Sequence, residues 1–189
     1  MIPKRPFLFL RHGETEFNRE GRYQGSIDIP LNDSGVAQAT AAAGILSNQK
    51  FDRIISSPAN RVLKTAAIVA EVTGKPMFID GDLMELFVGN LEGRLIQDVK
   101  RERNVGPETS LIELLPDDAE QWVDFQPRVT SAVAKWLDRH PDETLLFASH
   151  GLVFRALTEH LFGERKVTGN AVPHKFGLAA ESWHATELT

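Results

Sequence analysis

Short apolar runs alternating with helix-like stretches constrain the fold of this chain more than any other feature. Residues 7–10, 52–56, 76–79 and 144–149 read as strands, each bounded by polar or turn residues. The stretches between them carry helix signals. Asn32 is placed to cap a helix over 33–48. Ser57-Pro58 reads as the N-cap and first residue of a helix over 58–72 that Gly74 stops. Asp80-Gly81 closes the third strand. A helix is predicted over 127–140 with a shorter one over 119–125 before it, and another over 152–162. Residues 92–118, broken by Gly106, Pro107 and Pro116, predict short helices over one face. The tail around Phe176 and Trp183 predicts one or two further strands. Such alternation builds an α/β fold, here a three-layer α/β/α sandwich on a mostly parallel sheet.

Composition narrows the class. A chain of 189 residues, 42% hydrophobic and 25% charged, suits a single domain over 1–189 with its own core. The net charge of −5 offers no basic excess for a phosphate backbone, so no nucleic-acid partner is expected. The absence of cysteine removes disulfides, thiolate metal sites and a thiol nucleophile together. No apolar run approaches bilayer length, and the four apolar residues between Pro6 and Arg11 are too few for a secretory signal core. The expectation is a cytoplasmic protein with no membrane partner.

Reactive and cationic residues collect at the predicted strand ends, where open α/β sheets bind ligands. The first run ends at Arg11-His12-Gly13, Arg61 lies in the first turn of the helix after the second, and the last run ends at His150-Gly151. In a parallel sheet Arg11, His12, Arg61 and His150 reach one edge, where guanidinium forks match a tetrahedral dianion. Backbone N–H groups at the helix starts after Ser57 and Gly151 add anion contacts. Glu85, beyond the third run, offers a carboxyl group as general acid. A histidine nucleophile, a cationic cradle and an acid together describe phosphoryl transfer through a phosphohistidine. Taken singly, each residue has an ordinary alternative. Arg61 suits a solvated helix face, His150 a satisfied turn and Glu85 a surface pair. A metal held by His12, His150 and carboxylates is disfavoured by the adjacent arginines and the lack of HExxH spacing. No metal and no cofactor are expected.

An ordered set of segments runs through the chain: Leu10-Arg11-His12-Gly13-Glu14-Thr15, Asn18, Gly21-Arg22-Tyr23-Gln24-Gly25 and Asp28-Ile29-Pro30-Leu31. Ser56-Ser57-Pro58 with Arg61, Thr65-Ala66, Glu85 with Gly89 and Glu92-Gly93, and Ser149-His150-Gly151 continue it. This set resembles the histidine phosphatase superfamily, in its phosphoglycerate-mutase-like branch. It covers residues 10–151, and Asn170 matches a late pocket asparagine. The resemblance implies the fold of that branch, with His12 as the phosphorylated nucleophile. It makes Arg11, Arg61 and His150 holders of the phosphoryl group and Glu85 the proton donor. Asn18, Gln24, Gly25 and Gly151 complete the expected phosphate and substrate set, and residues 92–120 would form a lid. The chain departs from the pattern at Lys64, where many relatives carry glutamine. It also lacks a tryptophan near Asn90-Leu91 and a Gly-Glu-Ser sequence at Ala119-Glu120.

The resemblance implies a metal-independent phosphomonoesterase for a small phosphorylated metabolite. The alternatives are a phosphoglycerate mutase, a protein-phosphohistidine phosphatase, a nucleotide-loop phosphatase of cobalamin synthesis, and a non-catalytic phosphate-binding regulatory module. Mutases of this resemblance grip the substrate carboxylate with an arginine pair. Here Arg101 and Arg103 flank Glu102, and the acidic stretch 108–120 favours hydrolysis. A homodimer is left open.

Overall fold

The computed structural model describes residues 1–180 and 182–189. Its centre is a sheet of six strands: β1 (Phe7–Arg11), β2 (Arg53–Ser56), β3 (Met77–Ile79), β4 (Leu145–Ser149), β5 (Pro173–Ala179) and β6 (Ser182–Glu187). They lie in the order β3-β2-β4-β1-β5-β6. The first four are parallel, and β5 pairs antiparallel with both β1 and β6, so it alone is reversed in the sheet. The helices are α1 (Glu16–Glu20), α2 (Asp33–Ser47), α3 (Asn60–Thr73), α4 (Ile96–Glu102), α5 (Trp122–Arg139) and α6 (Gly151–Phe162).

Strand side chains alternate between two cores, as a pleat with period two requires. Phe7 and Phe9 of β1, Ile55 of β2, and Leu145 and Phe147 of β4 face Phe125, Val129 and Val133 of α5 and Phe154 of α6. Their neighbours Leu8, Leu10, Ile54, Leu146 and Ala148 face Ala42 and Leu46 of α2 and Val62, Ala66 and Val69 of α3. The sheet is therefore buried on both faces, which explains why its strands read as unbroken apolar runs. The two edge strands are the exceptions: Met77, Phe78 and Ile79 of β3 are all exposed, and no residue of β6 is fully buried. No helix among the described residues is long and apolar enough to cross a membrane.

Several boundaries differ from the sequence expectation, each for a local reason. The helix after β2 starts at Asn60 rather than Pro58, with Ala59 before it and no side-chain cap of its own. The Ser57 hydroxyl is bonded to His150 instead, and Asp28 from a distant loop caps the helix through Asn60 N–H at 2.9 Å. The two helices expected over 119–125 and 127–140 are one, α5, with Pro127 inside it. Pro127 lacks the N–H that would reach the Val123 carbonyl, and both residues lie on the exposed face, where water can take the partner's place. The short helix α1 was not expected. It is held by a capping box in which Thr15 and Asn18 exchange side-chain and backbone bonds. Residues 92–118 do hold short elements, α4 and a 3₁₀ turn at Leu111–Leu114.

Candidate active site

The register of the parallel strands brings the expected site together. Arg11 sits opposite Ser149, and Ser56 opposite Ala148. Past the strand ends His12 N–H donates to the Ser149 carbonyl and Ser57 N–H to the Ala148 carbonyl, each at 3.0 Å. The loop after His12 is pinned from below, where Gly13 N–H donates to Thr65 Oγ1 at 3.1 Å. Gly13 also lies against Gly35 of α2 so closely that a Cβ on it would come within 2.3 Å of the Gly35 carbonyl oxygen.

His12 is buried, and its Nδ1 lies 2.7 Å from the Gly13 carbonyl oxygen. A carbonyl only accepts, so Nδ1 carries the proton and Nε2 keeps its lone pair. Burial first, then Arg11 and Arg61, hold the imidazole well below its usual pKa, so it is neutral at neutral pH. The His150 ring lies 5.5 Å from that of His12, centroid to centroid. Its Nδ1 is 3.3 Å from Arg61 Nη2 and its Nε2 is 2.8 Å from Ser57 Oγ. Guanidinium nitrogens only donate, so His150 accepts at Nδ1 and donates from Nε2 to Ser57. Burial and then Arg61 keep this ring neutral too. His150 is wholly buried and packs against Arg61, a residue of the cavity wall.

Arg61, also wholly buried, donates to the Ile27 and Gly25 carbonyls at 2.8 and 2.9 Å, and Arg11 to the Thr168 carbonyl at 2.9 Å. Each arginine leaves a buried Nε without an acceptor among the described residues. Two donors buried without partners are costly unless an anion meets them. Gly25 is needed beside Arg61 for its left-handed backbone, φ +55°, and because a Cβ there would meet the Glu92 carboxylate. Glu85 accepts from the backbone N–H groups of Leu86 and Leu152, at 3.0 and 3.3 Å. Burial raises its pKa against these bonds and the nearby arginines, favouring the protonated acid.

These groups meet in a cavity of about 440 Å³. Arg11, His12, Asn18, Gln24, Gly25, Arg61, Glu85 and Gly151 all line it. Asn18 is also tied into the scaffold, since Asn170 Nδ2 donates to its Oδ1 and to the His12 carbonyl oxygen, both at 3.1 Å. Sequence reasoning did not place Arg22, Tyr23, Lys100, Arg155 and Thr168 on the wall, where they also stand. The arginine four residues after Gly151 was the one findable signal, because that spacing repeats a helix face. Arg101 and Arg103 are not on the wall. Arg101 pairs with Asp98, and Arg103 donates to the Leu114 carbonyl at 2.7 Å. Among the described residues no three His, Asp or Glu side chains gather as a metal site.

A parallel sheet whose carboxyl edge gathers two histidines, two arginines and a carboxyl group defines a class of phosphate-handling α/β proteins. The chain belongs to the histidine phosphatase superfamily, branch 1, whose model matches residues 7–182. It is 34% identical over 161 residues to phosphoglycerate mutase-like protein 4 of Arabidopsis thaliana, covering 80% of this chain and 69% of that one. It is 30% identical over 181 residues to the Bacillus subtilis protein named "uncharacterized phosphatase PhoE", covering 92% and 89%. Its fold superposes on a mycobacterial glucosyl-3-phosphoglycerate phosphatase, solved in complex with VO3, with a TM-score of 0.83. That match has 27% identity and covers 97% of both chains.

Proposed function

We propose that this protein is a phosphomonoesterase, with 1–189 as one domain, that hydrolyses a small phosphorylated metabolite through a phosphohistidine on His12. The observation that carries the reading is the Nδ1 contact of His12 with Gly13, which leaves a neutral Nε2 lone pair on a residue of the cavity wall. In the first step Nε2 attacks phosphorus in line and the P–O bond to the alcohol breaks, while Glu85 gives its proton to the leaving oxygen. In the second step water attacks phosphorus, the P–N bond breaks, and Glu85 takes the proton from water. The charge on the phosphoryl oxygens is met by Arg11 and Arg61, with their unpartnered Nε groups, and by N–H groups at the start of α6. His150 supports this cradle by accepting from Arg61. Residues 92–120 serve as the lid, since Ile96, Lys100 and Ser110 already stand on the wall.

The test is turnover of a panel of phosphomonoesters in the presence of a chelator. The expected result is hydrolysis by the native chain and none by His12→Ala. Activity retained by that variant would contradict the proposal. The name of the Arabidopsis relative raises the mutase reading, but Arg101 and Arg103 are engaged outside the cavity.

A further inference from the structure

Most cations on the cavity wall already have protein partners. Arg11 and Arg61 donate to the carbonyls of Thr168, Gly25 and Ile27. Arg22 pairs with Glu20 and donates to the Gly93 carbonyl at 2.9 Å, and Lys100 donates to the Pro107 carbonyl. Arg155 differs. Among the described residues its guanidinium makes no hydrogen bond or ion pair, and none of its nitrogens is buried without a partner. They are therefore accessible, on a residue that lines the cavity.

The local sequence explains why. On α6, Gly151 and Arg155 are four residues apart and share the face that lines the cavity. The next carboxylate along that face, Glu159, is taken by Trp122 at 2.6 Å, Gln126 at 2.9 Å and Arg165 at 2.8 Å. Arg155 also lies near enough to Arg11 to push that group's pKa down, so the two guanidinium groups repel across the cavity. An anion near Arg155 relieves that repulsion. The reacting phosphoryl group already has Arg11 and Arg61. On the remaining wall Tyr23, Val88, Ile96 and Leu111 are largely apolar, and Glu108 repels an anion from its side.

We propose that Arg155 receives a second anionic group, carried on the alcohol part of the substrate, and so selects acidic phosphomonoesters over neutral ones. The proposal rests on the phosphomonoesterase reading. A carboxylate and a second phosphate share the chemistry a guanidinium recognises, so both are tested. The experiment compares kcat/KM of the native chain, Arg155→Ala and Arg155→Lys on four substrates. These are 3-phosphoglycerate, 1,3-propanediol bisphosphate, glycerol 3-phosphate and p-nitrophenyl phosphate. The native chain should prefer one of the two acidic esters over glycerol 3-phosphate. Arg155→Ala should reduce that preference by about tenfold to a hundredfold, the span for a hydrogen bond to a charged group. Arg155→Lys should restore part of it. An unchanged preference in Arg155→Ala, or no native preference at all, overturns the assignment. If p-nitrophenyl phosphate is still hydrolysed in that case, the phosphatase reading stands without it. If no ester is hydrolysed, both fall.

Discussion

At the scale of single residues the site assigns distinct work to neighbouring groups, and substitutions should separate them. Burial shifts Glu85 toward its acid form, so if it is the proton donor Glu85→Gln should slow turnover of an alkyl phosphate by roughly 10²- to 10⁴-fold, the usual worth of a positioned proton donor. An aryl phosphate, with its better leaving group, should lose less. Equal losses in kcat on the two esters would remove Glu85 from that role. Ser57 acts one bond further back, through His150. Ser57→Ala should let His150 turn, loosen Arg61 and lower kcat, while Ser57→Thr restores it. The ¹⁵N spectrum of His150 should show the proton on Nε2 in the native chain, and an Nδ1–H ring would contradict this arrangement. The residues Arg11, His12, Arg61, Glu85 and His150 were legible because reactive types stood in order at strand ends. Ser57 was misread as a helix cap, since its sequence neighbour Pro58 supports that reading and only the fold brings His150 within 2.8 Å. The place of Arg155 on the cavity face was legible in its spacing from Gly151. Its lack of a partner was not, because that depends on Trp122, Gln126 and Arg165 occupying Glu159.

At the scale of elements, the loop carrying His12 is held by close backbone packing. Gly13 and Gly35 meet where the β1 end crosses the start of α2, and a Cβ on Gly35 would come within 2.0 Å of the Glu14 carbonyl oxygen. Gly35→Ala should therefore push the loop off α2, lowering both the melting temperature and kcat. Overpacking of this kind costs about 1–3 kcal/mol. A variant with native Tm and kcat would show that the loop gives way freely. The helices were easier to foresee than their ends. Gly74 stops α3 in the left-handed conformation and Asn32 caps α2 as their types predict. The start of α3 was not foreseeable, because its cap comes from Asp28, 32 residues away in sequence. That same bond draws in the loop whose Gly25 carbonyl holds Arg61.

At the scale of the molecule, the doubly covered sheet was plain in the apolar runs, and the reversed strand β5 was not, since alternation gives no direction. The cost of gathering buried titratable groups at one edge should appear in stability against pH. His12 and His150 are both lowered from 6.5, so below that pH the unfolded chain binds protons the native one refuses. Each then removes about 1.4 kcal/mol of stability per unit fall in pH. Glu85 is raised and works the other way: its proton stabilises the native state at low pH, and that contribution is lost as pH rises. Thermal melts should show Tm falling from pH 6.5 downward. Glu85→Gln should melt above the native chain at pH 7, with the gap closing toward acid, and a gap that widens toward acid would reverse the sign assigned to Glu85. The central claim, that His12 carries the phosphoryl group, is tested most directly by intact-mass measurement after an alkaline quench during turnover. The account predicts a fraction of the chain heavier by one phosphoryl group, mapped to His12 and absent in His12→Ala. Steady turnover with a label on another residue, or the same label in that variant, would contradict it.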